Sequence, residues 1–156
     1  FGFEVTVNPA EANIIIINTC AFLEASRKES IDTILQMAKY KELELEKIVV
    51  TGCLTTYKIE EVDGSIPEVD LFVPIEKNKS IVDEICKLYG VEYTDDTPYN
   101  RFLTTPEHYA YLKIADGCNN FCSYCTIPYI RGRFTSVPPF TGSIMITGLP
   151  CFWQTS

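Results

Sequence analysis

An α/β fold built on a parallel sheet is predicted by strand-like apolar runs that alternate with amphipathic helical segments. Residues 14–17 (Ile-Ile-Ile-Ile) form a continuous β-branched run, as expected of a strand buried on both faces. The segment 24–41 follows, with Ile31, Ile34, Leu35 and Ala38 at helical spacing. Strands and helices in alternation are typical of a parallel sheet with right-handed crossover connections.

Two more strands and two more helices complete the predicted sheet domain. Residues 48–50 (Ile-Val-Val) are the second strand, and residues 71–73 (Leu-Phe-Val) are the third. A short helix is predicted over 56–62, before Asp-Gly breaks it. An amphipathic helix is predicted over 80–89, with Gly90 as its C-terminal stop.

The second half of the chain is less regular. Residues 91–106 are polar and contain two prolines, which suits a linker. Residues 108–115 alternate like a strand and lead into a cysteine-rich loop. Residues 137–156 contain no charged residue and three prolines. Because neither end resembles a natural terminus, we expect a piece of a longer protein or a damaged open reading frame.

Composition restricts the function classes. The chain has 156 residues, of which 46% are apolar and 22% are charged, which is globular composition. Its net charge of −8 argues against broad contact with a phosphate backbone and would suit a basic protein partner. No apolar run approaches the roughly 20 residues of a membrane span. The odd count of seven cysteines, their clustering and the lack of a secretory signal favour a reducing cytoplasm and metal ligation over disulfides.

Three cysteines lie within eight residues, Cys118, Cys122 and Cys125, with the spacing C-x3-C-x2-C. Three thiolates can hold three irons of a four-iron four-sulfur cluster and leave the fourth iron open for chemistry. A structural zinc site is the main alternative. It would require a fourth ligand, and the single histidine, His108, lies ten residues upstream. A reduced loop without a metal is the other alternative.

Cys20 and Cys53 form a second candidate site. Cys20 follows the first predicted strand and Cys53 follows the second, so both lie at the carboxyl ends of parallel strands, where ligands bind in open α/β sheets. If the two strands are neighbours, the thiols could share one metal centre. The alternative is that each cysteine is a small buried hydrophobe. Two cysteines are too few for a cluster, so a third ligand must come from elsewhere.

Other residues carry weaker signals. Tyr124 either packs against the cluster or provides an aromatic surface for a nucleotide base. Residues 131–133 (Arg-Gly-Arg) are either a carboxylate or phosphate contact or an ordinary basic loop. Cys86 is expected in the core and His108 in a structural role, and Cys151 is assigned no role.

The cysteine motifs resemble a known family. C-x3-C-x2-C with an aromatic residue before the last cysteine resembles the radical S-adenosylmethionine (SAM) superfamily. Residues 18–20 (Asn-Thr-Cys), 51–53 (Thr-Gly-Cys) and 125–133 (Cys-Thr-Ile-Pro-Tyr-Ile-Arg-Gly-Arg) make it similar to the methylthiotransferases. The branch that acts on an aspartate of ribosomal protein S-twelve is resembled by 18–25 followed by 29–34 (Glu-Ser-Ile-Asp-Thr-Ile), and by 104–117. The resemblance covers about residues 3–136.

The resemblance implies a domain order and two four-iron four-sulfur clusters. Residues 1–90 would be the methylthiotransferase N-terminal domain, 91–106 a linker and 107–136 the start of a truncated radical SAM (β/α) barrel, with 137–156 an unmatched tail. The loop cysteines would bind the cluster that chelates SAM, whose cleavage gives a radical that takes a hydrogen from the substrate. Cys20 and Cys53 would bind the second cluster, whose third cysteine lies upstream of this chain. Tyr124 would contact the SAM adenine.

The implied substrate is an aspartate β-carbon of ribosomal protein S-twelve, and an electron donor is implied as a second partner. We expect a cytoplasmic monomer and expect the 156-residue chain alone to be inactive. One alternative is the related activity on a tRNA adenosine, against which the acidic balance argues. An alternative of another class is a non-catalytic iron–sulfur or zinc-binding module.

Overall fold

The computed structural model describes residues 3–57, 59, 64–92, 108–109 and 114–136. The chain divides into two compact units, Phe1–Tyr93 and Thr94–Ser156, and each is described by itself.

A three-stranded parallel sheet forms the centre of the first unit. Its strands are β1 (Ile14–Thr19), β2 (Lys47–Gly52) and β3 (Leu71–Pro74), in the order β1-β2-β3. The last register pairs are Thr19 with Gly52 and Gly52 with Pro74, so the three strands end at the same edge. The three predicted strands and their parallel arrangement are confirmed.

Two helices flank this sheet. The first, α1 (Glu24–Ala38), continues into a 3-10 turn at Lys39–Glu42. The second, α2 (Ile81–Tyr89), ends at Gly90, whose φ of 66° is the left-handed conformation that terminates helices. Both predicted helices are confirmed, and the glycine stop is where the sequence placed it.

The central strand β2 explains why the sheet needs a helix on each face. Successive side chains of a strand point to opposite faces, and β2 is apolar on both. Ile48 and Val50 pack with Ile34 of α1 in one buried cluster, whereas Val49 packs with Ile85 of α2 in another. These five side chains are at most 5% exposed, and burial of each contributes roughly 1.5–3 kcal/mol to folding.

A cluster of charged side chains joins the amino-terminal ends of β2 and β3. The Asp70 carboxylate accepts hydrogen bonds from Lys41 Nζ at 2.7 Å, Lys47 Nζ at 3.2 Å and the Ile48 N–H at 2.9 Å. Burial acts to raise the pKa of Asp70. The hydrogen bonds from Lys41, Ile48 and Lys47 outweigh it and hold that pKa below its ordinary value. Charge pairing therefore fixes the start of two neighbouring strands.

The second unit is built on a hairpin-like return of the chain. Strand β4 (Ala115–Asp116) pairs antiparallel with β5 (Thr135–Ser136), and α3 (Ile127–Arg131) lies between them in sequence. In the described part of this unit no parallel strand pair is present, so the predicted start of a (β/α) barrel is not confirmed. The predicted strand over 108–115 is also corrected at its described residues. His108 lies in a turn, Ile114 precedes the strand, and pairing starts only at Ala115.

Other predictions fall mainly outside the described residues. In the predicted helix over 56–62, Thr56 and Tyr57 form a turn, and Ile59 is the only other residue that the structure describes. The predicted linker is described only at Val91 and Glu92, and the tail 137–156 lies outside the described residues altogether. No helix within the described ranges is long and apolar enough to cross a membrane.

Candidate metal centres

Cys20 and Cys53 lie at one edge of the sheet, as the sequence predicted for neighbouring strands. Each cysteine immediately follows a strand, and the residues before them, Thr19 and Gly52, are partners in the β1–β2 register. Neither thiol is in a disulfide. Cys20 is exposed and Cys53 is half-buried against the cluster that contains α1. The arrangement offers two thiols to a ligand at the carboxyl edge, where open α/β sheets bind ligands.

Gly52 allows the two strand ends to approach each other. Its φ of 101° is a conformation that favours glycine, and a Cβ there would lie 2.3 Å from the Thr19 carbonyl oxygen and 2.4 Å from Asn18 Oδ1. Real Cβ atoms do not come that close to backbone. The glycine before Cys53 is therefore required by the close contact with the residue before Cys20.

Buried threonine hydroxyls connect the strands at this edge. Thr19 Oγ1 donates to the Thr51 carbonyl at 2.6 Å, and Thr51 Oγ1 donates to the Val73 carbonyl at 2.9 Å. Thr55 Oγ1 lies 2.8 Å from the Gly52 carbonyl and 2.9 Å from that of Val73. All three threonines are at most 4% exposed. The hydroxyls thus link β1 to β2 and β2 to β3 beneath the two cysteines.

Ser30 connects helix α1 to the loop that carries Cys20. Its Oγ accepts a hydrogen bond from the Cys20 N–H at 3.0 Å and lies 3.1 Å from the Cys20 carbonyl oxygen. The same hydroxyl lies 2.9 Å from the Ser26 carbonyl one turn earlier in the helix. A hydroxyl has one proton, so it donates to one of these two carbonyls at a time. One buried side chain thus accepts a hydrogen bond from the Cys20 N–H and can also donate one to the Cys20 carbonyl.

The loop of the other three cysteines is fixed by local contacts. The Cys118 N–H donates to the Gly132 carbonyl at 3.1 Å, and the Cys125 N–H donates to the Cys122 carbonyl at 2.9 Å, which closes a turn. Gly117, with φ 74°, precedes the first cysteine, and a Cβ there would lie 2.2 Å from the Arg133 carbonyl oxygen. A glycine is therefore required before Cys118, as it is before Cys53.

The thiols of this loop suit iron in type and access. Cys122 is exposed, Cys118 and Cys125 are half-buried, and none is in a disulfide. No three His, Cys, Asp or Glu side chains in the described ranges surround a single metal-ion position. His108 is exposed, with its ring 5.1 Å from that of Tyr109. A four-iron cluster is wider than one ion and is ligated by thiolates alone, so the donor set fits it.

Aromatic side chains are exposed around the loop. Tyr124, between the second and third cysteines, is 87% exposed, so its ring is accessible to a ligand. Phe121 has a left-handed φ of 46°, and its ring meets that of Tyr129 edge-on at 6.1 Å. Among the basic residues of the loop, Arg131 approaches a carboxylate of its own chain, with its guanidinium 3.8 Å from Asp116 Oδ2.

Some supporting residues were missed from the sequence. In the sequence Ser30 is marked only by the Glu-Ser-Ile segment, and no pattern marks the threonine hydroxyls. The two glycines carried a readable signal, since each directly precedes a candidate ligand, in Thr-Gly-Cys and in Asp-Gly-Cys. Cys86, in α2, is buried as predicted, whereas Cys151 lies outside the described residues.

Comparison with known proteins gives consistent matches. Residues 1–74 match the uncharacterized protein family UPF0004. The chain is 43% identical to the ribosomal protein uS12 methylthiotransferase RimO of Caldicellulosiruptor saccharolyticus, over 86% of this chain and 33% of the relative. It is 45% identical to the protein of the same name from Clostridium tetani, over 85% and 32%. For that of a Sulfurihydrogenibium species the identity is 46%, over 85% and 30%. The chain thus spans about a third of the length of the curated relatives it matches.

Proposed function

This chain is a homologue of the methylthiotransferases, and on that premise we propose that it is part of an iron–sulfur radical SAM enzyme. The proposed reaction adds a methylthio group to the β-carbon of an aspartate in ribosomal protein uS12. The observation that supports it most is the occurrence of two separate cysteine sites, one at a sheet edge and one in a loop. An unactivated C–H bond requires radical chemistry, which a cofactor must supply.

We assign the SAM-binding four-iron four-sulfur cluster to Cys118, Cys122 and Cys125. When bound, this cluster supplies the electron for reductive cleavage of SAM. The chain contributes three thiolates on one short loop and no fourth cysteine there. The turn closed by Cys122 and Cys125 and the contact of Cys118 with Gly132 hold the backbone of this loop. An exposed Cys122 leaves the loop accessible to iron and sulfide.

The second cluster is assigned to Cys20 and Cys53, with a third ligand from outside this chain. The close approach of Gly52 to Thr19 holds the two cysteine-bearing strand ends together. The site is open to solvent at Cys20, which is exposed. A second cluster of this kind would supply or carry the sulfur.

Tyr124 is the proposed contact for the adenine of SAM. Its ring is exposed next to two of the loop cysteines, and an aromatic face can stack on a base. The contact of Arg131 with Asp116 gives that arginine a role in holding the loop.

Ribosomal protein uS12 is the proposed substrate because the curated relatives carry that substrate in their names. The net charge of −8 is consistent with a basic ribosomal protein as partner and unfavourable for a tRNA. A cytoplasmic enzyme and an electron donor follow from this reaction. Because this chain spans about a third of its relatives, we expect the 156 residues alone not to turn over SAM.

Anaerobic reconstitution with iron and sulfide tests the assignment of the ligands. We expect iron and sulfide in about equal amounts, about four of each for the loop cluster. The Cys118→Ala, Cys122→Ala, Cys125→Ala triple variant should lose that share. The matched control is Cys86→Ala, which removes a buried thiol of the core and should keep it. Zinc at one per chain without sulfide would contradict the proposal.

The substrate is tested with a chimaera in which this chain replaces the matching third of the Caldicellulosiruptor saccharolyticus relative. We expect methylthiolation of uS12 and none of tRNA, measured by mass spectrometry of both substrates. Modification of tRNA alone would overturn the uS12 assignment. Cleavage of SAM by the 156-residue chain itself would overturn its expected inactivity.

A further inference from the structure

In helix α1, the Ser30 hydroxyl lies within hydrogen-bond distance of both the N–H and the carbonyl oxygen of Cys20, a candidate ligand. It accepts from the Cys20 N–H and reaches the Cys20 carbonyl oxygen, at 3.0 and 3.1 Å. Ser30 is 9% exposed, so water competes little for these bonds. The Cys20 residue itself is exposed and follows the end of its strand, so the sheet does not hold it.

We propose that Ser30 is a positioning residue that holds the Cys20 thiol beside Cys53 at the carboxyl edge of the sheet. This inference builds on the assignment of Cys20 and Cys53 as ligands in the proposed function. It gives a role to the Glu-Ser-Ile segment of α1, ten residues after the Asn-Thr-Cys segment that it holds.

The other partner of the pair is positioned by different contacts. Cys53 begins a 3-10 turn, and its carbonyl accepts hydrogen bonds from the N–H groups of Thr56 and Tyr57 at 3.3 and 3.0 Å. Thr55, in the same turn, is held by the Gly52 and Val73 carbonyls. Cys53 therefore belongs to a turn fixed on the sheet, whereas Cys20 depends on a helix side chain. Loss of the Ser30 hydroxyl should move Cys20 alone.

Helix α1 offers a matched control at Thr33. Its hydroxyl donates to the Glu29 carbonyl at 2.8 Å, four residues earlier, in the same geometry as the contact of Ser30 with the Ser26 carbonyl. Thr33 is half-buried and lies on the same helix. Thr33→Ala therefore removes the same kind of helical hydroxyl bond without affecting Cys20.

The test measures cross-linking of Cys20 to Cys53 by dibromobimane, which becomes fluorescent when it joins two neighbouring thiols. It uses the 156-residue chain without iron, with all other cysteines replaced by serine. We expect Ser30→Ala to form the Cys20–Cys53 cross-link roughly five-fold more slowly, the factor that one lost hydrogen bond gives. Thr33→Ala and the hydroxyl-retaining Ser30→Thr should cross-link at the parent rate.

A purely structural role for Ser30 predicts another pattern, in which Ser30→Ala melts at a lower temperature but cross-links at the parent rate below that temperature. That result, or equal slowing by Thr33→Ala, would overturn the proposal. Since the cross-link requires no iron, failure to assemble a cluster leaves this test valid and counts only against the proposed function.

If Ser30→Ala does not fold, the proposal is tested by measuring hydrogen exchange of the Cys20 amide in the unaltered chain. The proposal expects this amide to exchange as slowly as amides inside α1, because Ser30 Oγ accepts its hydrogen bond. Exchange at the rate of an unprotected loop amide would overturn it.

Discussion

The two cysteine sites share one local requirement but differ in what supports them. In both, a glycine with positive φ precedes a cysteine, and a Cβ on that glycine would collide with backbone. Cys20 and Cys53 follow strands β1 and β2, whose paired residues lie more than thirty positions apart in the sequence. The loop of Cys118, Cys122 and Cys125 is held by contacts between residues 116 and 134.

This difference separates two ways to position candidate metal ligands. At the sheet edge, ligand spacing follows from strand register, the packed core and buried hydroxyls, so distant substitutions can change it. In the loop, spacing follows from turns and a few backbone hydrogen bonds, so it depends on the residues of the loop itself. Substitutions matched between the two sites should therefore differ in their effects.

The largest expected effect is that of Gly52→Ala. Its new Cβ would meet the Thr19 carbonyl oxygen at 2.3 Å, so β1 and β2 must separate where Cys20 and Cys53 lie. We expect a loss of about 3 kcal/mol or more in the free energy of unfolding of the sheet unit, measured with urea. Gly117→Ala should leave that free energy unchanged and instead raise the alkylation rate of Cys118, since its close contacts are with Gly132 and Arg133.

Gly64→Ala is the control for backbone strain without a collision. Gly64 has φ 79°, and a Cβ there would have no atom within 4 Å. It should cost only about 1–2 kcal/mol. Equal costs at Gly52 and Gly64 would contradict the requirement for close approach of the strands.

A smaller effect is expected from the charges that support each site. Asp70 keeps a lowered pKa in the folded state, so its ionised form stabilises the sheet unit above the unfolded pKa near 3.8. That stabilisation is lost as the pH falls through the lower folded pKa. Asp70→Asn should cost about 1–3 kcal/mol at neutral pH and progressively less below pH 3.8, followed by urea unfolding at several pH values.

The matched substitution in the loop is Asp116→Asn. The Asp116–Arg131 pair is 3.8 Å long and its side chains are 41% and 34% exposed, so solvent screens it. We expect a change of about 0–1 kcal/mol. A loss of unfolding free energy equal to that of Asp70→Asn would contradict the expectation that charge pairing stabilises the sheet unit more than the loop.

The smallest expected effects come from two threonines, one at each site. Thr55 Oγ1 lies within hydrogen-bond distance of two carbonyls, so Thr55→Val should cost about 1 kcal/mol. Thr126 Oγ1 is buried and has no hydrogen-bond partner among the described residues, so Thr126→Val should be neutral or slightly stabilising. Thermal unfolding of the two variants compares them directly, and a larger loss at Thr126 would contradict the hydrogen-bond assignment.

The elements that could be predicted from the sequence are those that local patterns determine. The Ile14–Ile17 run, the helical spacing around Ile34 and the glycine stop at Gly90 are local patterns, and each element they predicted is present. Because parallel strands end at one edge, the positions of Cys20 and Cys53 could also be predicted.

What the sequence did not predict depends on contacts between distant residues. The hydroxyl of Ser30 could have bonded water or its own helix, and only the packing of α1 directs it to Cys20. Strand β4 was expected to lead into a barrel. Its two residues instead pair with Thr135 and Ser136, about twenty positions later in the sequence. A strand of two residues has no periodicity to read, so its partner could not be foreseen.

The strand order β1-β2-β3 also fixes an order in time. Each strand pairs with the next one along the chain, so the β1–β2 register is available once Gly52 has left the ribosome. N-terminal elements fold first during synthesis. The edge with Cys20 and Cys53 can thus be in place before Cys118 has been translated.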